Sequence, residues 1–224
     1  MTILRLALVA LVAAAFPRVL AGQADVAAQL RGRASPEVIR AVQSIAATTA
    51  ARGLPVDPLI QKAIEGGAKH VPADRVVAAV RALAAQLDAA AGALRDGGIG
   101  APGADVVEGA AYALNAGLSA RQVQDLARVS RAPYDPGLTL RVAATLAALG
   151  VPPKKTLELV QGMIKAGRTP GDLVDLPTEV QTSVAEGATP AQAAEGLARG
   201  LAHAPGRQPD FTPPGQAKPH PHKP

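Results

Sequence analysis

Between Pro72 and Arg95, apolar residues return at Val76, Val80, Leu83, Leu87, Ala91 and Leu94, in steps of four, three, four, four and three. That spacing lays one apolar stripe along a long helix. It does not suit a strand, whose side chains change face at every residue. Val38, Val42 and Ile45 carry the same period earlier in the chain, and Leu157, Val160 and Ile164 carry it later. From Ser35 to about His203 no segment alternates apolar and polar residues. Alanine, the strongest helix former, supplies about a fifth of the chain. The expected fold class is all-α.

The helix starts use a small vocabulary. Ser35-Pro36, Asp57-Pro58, Asp135-Pro136 and Thr189-Pro190 each place a capping side chain before a proline. The cap accepts a hydrogen bond from a free backbone N–H, and proline at the first helical position has none to lose. Asp57, Ser119 and Asp135 are therefore expected as structural caps. Val71-Pro72, Val151-Pro152 and Leu176-Pro177 predict further starts on proline alone. Gly117-Leu118-Ser119 and Gly150-Val151-Pro152 read as a stop, a turn and a new start. The pattern predicts about nine or ten helices of roughly 8–24 residues. Their short loops favour antiparallel hairpins, in an irregular helical repeat or bundle.

The expected organisation has six parts. Residues 1–21 are read as a signal peptide: one charge in MTILR, the apolar run LALVALVAAAF, and Val19 and Ala21 before a cleavage point at Gly22. Arg18 and Pro17 cut the apolar run well short of the roughly 20 residues a spanning helix needs. Residues 22–34 form a lead-in, 35–95 an N-terminal helical portion, 96–104 (DGGIGAPGA) a glycine-rich hinge, and 105–203 a C-terminal helical portion. Residues 204–224 hold seven prolines in 21 positions and are expected to be a disordered Pro/His-rich tail. The expected location is periplasmic or secreted, without stable membrane insertion once the signal is cleaved.

A short device recurs. Residues 64–69 read IEGGAK, 107–112 VEGAAY, 160–165 VQGMIK and 194–199 AEGLAR. Each places Gly after Glu or Gln inside a helix, at Gly66, Gly109, Gly162 and Gly196. Glycine there costs about 1 kcal/mol relative to alanine, so its recurrence predicts close approach of neighbouring helices, with room for a ligand as the competing reason. The copies lie 43, 53 and 34 residues apart, too unevenly for a strict solenoid. The longer string GLPVDPLIQKAIEGGAKHVPADRVVAAVRALAAQL resembles a pattern in uncharacterised exported bacterial proteins: GLP, a Lys-x-x-Glu-Gly helix, a basic residue, then VP and a long Ala/Val/Arg helix. The resemblance covers about 35 residues. It implies an exported helical protein and no activity.

Charge and composition narrow the function. The pI near 9.9 comes from the chain ends. Without the first 21 and last 21 residues, 18 basic side chains face 17 acidic ones, too even a balance for counterion-driven nucleic-acid binding. Beyond the signal the aromatic residues are Tyr112, Tyr134 and Phe211, too few for base-stacking platforms. Without cysteine there is no disulfide, metal–thiolate site or cysteine nucleophile. Lys62, Glu65 and Lys69 form an i, i+3, i+7 stripe, read as a solvated face, not an acid–base pair. Gly66-Gly67-Ala68-Lys69 lacks the spacing and the following Ser or Thr of a phosphate loop. No Gly-x-Ser-x-Gly or Ser-x-x-Lys is present. No catalytic residue and no cofactor is assigned. His220 and His222 in the tail are the candidate metal ligands, for weak transition-metal binding. The expected function is a non-enzymatic interaction or structural module with a protein or peptide partner. The alternative is a small-ligand or metal-binding protein, and an enzyme ranks third.

Overall fold

The computed structural model describes residues 25–203, and these are all-helical, with no strand. Helix α1 spans residues 25–30. It is followed by α2 (Pro36–Ala51), α3 (Asp57–Ala68), α4 (Ala73–Asp96), α5 (Ala104–Asn115) and α6 (Ala120–Val129). Then come α7 (Pro136–Ala148), α8 (Pro153–Lys165), α9 (Pro170–Ala185) and α10 (Pro190–His203). The signal-peptide, cleavage-site and tail expectations, with His220 and His222, lie outside the described residues.

Most starts follow the cap chemistry. The Val38 N–H donates to Ser35 Oγ at 3.4 Å, and the Leu138 N–H to Asp135 Oδ1 at 2.7 Å. Ser119 and Gln122 form a reciprocal box: the Gln122 N–H donates to Ser119 Oγ (3.3 Å) and the Ser119 N–H to Gln122 Oε1 (2.9 Å). Thr169 with Asp172 and Thr189 with Gln192 do the same.

Two expected starts are corrected. Asp57 is the first residue of α3, not its cap. Val56 already has helical backbone angles, and its carbonyl accepts from the Leu59 and Ile60 N–H groups. The Asp57 carboxylate makes no cap bond, although it still sits where the helix dipole favours an anion. Leu176-Pro177 starts nothing, because α9 has already begun at the Thr169–Asp172 box and Pro177 lies inside it. Leu173, Leu176 and Val180 hold that helix on the core and offset the hydrogen bond proline cannot donate.

Seven helices end alike. The residue after the cap donates to the carbonyl two before the cap, and the next donates to the carbonyl three before the cap, as in Gly117 N–H to Leu114 O and Leu118 N–H to Ala113 O (both 3.1 Å) about the cap Ala116. The left-handed position is glycine in six of them: Gly53, Gly98, Gly117, Gly150, Gly167 and Gly187. In α3 it is His70, at φ 53°. A side chain in that region is strained. His70→Gly is therefore expected to raise unfolding stability by about 0.5–1 kcal/mol, read as a higher denaturant midpoint at unchanged slope. An unchanged midpoint would mean that the imidazole makes a compensating contact.

Helix α4 organises the packing. It lies against α2 and α3, and also against α5 and α6; α7 then joins α5, α6, α8 and α9, and α10 closes on α8 and α9. By length and composition α4 could span a bilayer. Its Val76, Val80, Leu87 and Leu94 are instead buried in one apolar cluster that runs from Val26 to Ala194. Val26 and Leu30 show that the lead-in contributes a helical turn to the core. Tyr134, in the loop between α6 and α7, is buried and donates its hydroxyl to the Arg168 carbonyl. Burial, with the Asp172 charge behind it, pushes the phenol pKa up.

The recurring glycines divide. A Cβ on Gly66 would stand 2.6 Å from Val76 Cγ2, and one on Gly109 would stand 2.8 Å from the Gly137 carbonyl oxygen, so both mark close helix approach. Gly162 would meet only Leu201 Cδ1 at an ordinary 3.5 Å, and Gly196 faces open space. Close packing is therefore not the reason for those two. Gly196→Ala should stabilise the fold by about 1 kcal/mol through helix propensity alone, seen as a raised Tm. A lowered Tm would mean that position 196 is crowded after all. The tightest site is Gly67, where a Cβ would fall 1.9 Å from the Arg33 carbonyl oxygen.

Candidate functional site

The stretch PLIQKAIEGGAKH presents two different faces. Its glycines turn inward, Gly66 to α4 and Gly67 to the turn before α2. Its charges turn outward. Lys62 Nζ lies 3.0 Å from Glu65 Oε2 and Lys69 Nζ 2.5 Å from Glu65 Oε1. The Lys69 bond, then the Lys62 bond, draw the Glu65 pKa down to about 2. A carboxylate so placed is a poor proton acceptor near neutral pH. Its folded pKa lies below the unfolded value, so whatever stability the cluster contributes is present above pH 4.5 and lost as the pH falls toward 2. The carboxylate is exposed, so that contribution is small. A carbon-detected NMR titration should place the Glu65 midpoint near 2; a midpoint near 4.5 would mean that the lysines do not hold it in solution.

A second charged cluster ties α8 to α10. Lys155 Nζ bridges Glu158 (3.6 Å) and Glu195 (2.9 Å), which raises the Lys155 pKa and lowers that of Glu195. The buried threonine and serine hydroxyls are spent locally. Thr49 donates to Ile45 O (2.8 Å), Ser130 to Leu126 O (2.7 Å), Thr139 to Asp135 O (2.9 Å) and Thr156 to Val151 O (3.4 Å). Among the described residues no three His, Cys, Asp or Glu side chains gather as a metal site.

An open groove of about 450 Å³ lies between α2 and α4; a second, of about 460 Å³, lies where Gly67 and His70 meet residues 32–38. To the first, helix α2 supplies Ala41, Ser44, Ile45, Thr48 and Thr49, the turn after it Arg52 and Leu54, and α4 Arg81, Ala84, Ala85 and Asp88. These are the i, i+3, i+4, i+7 positions of two neighbouring helices, so the groove follows the helix axes. From Ala41 to Arg52 it runs roughly 16 Å at 1.5 Å per residue. Arg52 Nη1 meets Asp88 Oδ2 at 3.0 Å and closes one end. Among the described residues Arg81 has neither an ion pair nor a hydrogen bond. The walls between are small and uncharged. Nothing in the sequence alone pointed here, because the groove depends on α2 and α4 lying side by side across the intervening α3. The signal that could have found it is the small residues at 41, 44 and 48 on one helix and at 84 and 85 on the other.

Compared with protein families, curated proteins and solved structures, the chain matches none.

Proposed function

We propose that the chain is exported and acts outside the cytoplasm as a non-enzymatic interaction module, taking a polypeptide segment into the groove between α2 and α4. The observation that carries this reading is the groove itself: three helical turns long, floored by Ala41, Ile45, Ala84 and Ala85, with the Arg81 guanidinium, which has no partner among the described residues, on its wall. Small side chains on both walls let a third helix or an extended segment come close, and the apolar floor supplies the burial that drives such docking. The polar ends, Arg52–Asp88 and Arg81, would fix its register. Export is supported by the layout of residues 1–21.

The test compares two forms of the protein purified from the exported fraction, wild type and Ala85→Trp. Ala85 is exposed, so the indole fills the groove without entering the core. Wild type should retain a polypeptide from native extract that Ala85→Trp does not, at equal helicity by circular dichroism. Equal capture by both forms, or capture by neither, would overturn the groove as the interaction surface.

A further inference from the structure

Helix α10 is held more weakly than the helices before it. Each helix from α1 to α9 buries at least two valine, leucine or isoleucine side chains. Over residues 190–201, α10 fully buries Ala193 and Ala194 instead. Leu197, Ala198 and Leu201 pack against the core but are only partly buried. A buried alanine methyl removes far less apolar surface from water than a buried leucine. Gly196 and Gly200, both inside α10, are exposed, and a Cβ on either would meet nothing within 4 Å. No neighbour needs them small, so each weakens the helix without a packing gain.

The seam beneath α10 is open to water. Pro190 lies against Gly150, Glu195 against Lys155 and Leu201 against Gly162, so α10 runs parallel to α8. Between the two helices an open groove of about 310 Å³ is lined by Lys155, Glu158, Ala194, Glu195, Ala198 and Arg199. The Lys155–Glu195 bridge crosses it at 2.9 Å, but both side chains are partly exposed and the bridge adds little. Helix α7 is packed against α5, α6, α8 and α9, whereas α10 rests on α8 and α9. The joint is also simple. The Gly187 and Ala188 N–H groups bond back into α9, and the Thr189 N–H bonds forward to Gln192. The chain can pivot between 188 and 189 without breaking a bond of α9.

We infer that α10 is a strap that opens as a unit while the rest of the fold stays intact. Opening unwinds it, because 14 residues with two central glycines do not hold a helix alone in water. It uncovers the strip of α8 between Gly150 and Gly162 on which α10 lies. This device is independent of the α2–α4 groove.

The test is native-state hydrogen exchange on the full chain, read residue by residue by NMR. Amides 194–201 should exchange together, with protection roughly a hundredfold or more below that of amides 140–144 in α7. Gly196→Ala combined with Gly200→Ala should slow exchange in α10 by roughly tenfold or more. Leu140→Ala should speed exchange in α7 by roughly a hundredfold and leave α10 unchanged, because α7 stays folded when the strap opens. Equal protection in α10 and α7, or Leu140→Ala speeding both alike, would mean that α10 opens only with the whole chain and would overturn the inference. So would exchange in α10 that ignores the two alanines, or protection that falls off smoothly toward Leu201, which is end fraying.

Discussion

Gly67→Ala should lower the unfolding free energy by about 2–3 kcal/mol. Its Cβ would fall 1.9 Å from the Arg33 carbonyl oxygen, and the obstacle is backbone, which cannot turn aside as a side-chain end can. The turn at residues 31–34 would have to move off α3, and with it α1, whose Val26 and Leu30 are buried. Alanine's better helix propensity returns about 1 kcal/mol and does not offset the displacement. Urea denaturation followed by far-ultraviolet circular dichroism would measure it. A stability equal to or above wild type would mean that the 31–34 turn does not lie on α3 in solution.

The second large effect is expected at Leu140→Ala, about 3 kcal/mol within the usual 2–5 for a buried leucine. Leu140 is fully buried in α7, the helix packed against α5, α6, α8 and α9. The loss combines the apolar area no longer removed from water with the cavity left behind, which rigid neighbours cannot fill. Gly109 and Gly137 bring α5 and α7 so close that their backbones have little room to collapse inward. The expected signature is a lower denaturant midpoint with unchanged slope. A loss below about 1 kcal/mol would place Leu140 at a loosely packed site.

Much of this fold is legible in the residues because its punctuation is local. A cap such as Ser119 or Asp135 acts within one turn, and the glycine stops act within two residues, so neither needs a distant partner. Where the sequence reading erred, a local signal met a stronger neighbour. Pro177 resembles a start, but the Thr169–Asp172 box had already committed the helix seven residues earlier. Asp57 resembles a cap, but Val56 adopts helical angles first. Glycine contacts are long-range, so the Glu-Gly repeat could not separate Gly66 and Gly109 from Gly196. The tightest glycine, Gly67, is not part of the repeated pattern at all. The groove was illegible for the same reason: Arg52 and Asp88 are 36 residues apart and become one feature only when α2 and α4 lie together. The charged cluster around Glu65, which invites a chemical reading, is surface held by its own helix neighbours.

The most direct test of the groove is a photo-crosslinking side chain placed at position 85 and activated in native extract. The same probe at position 154, on the exposed face of α8, is the reference. A polypeptide adduct that forms at 85 and not at 154 is the predicted result. Equal adducts at both positions, or none at 85, would contradict it.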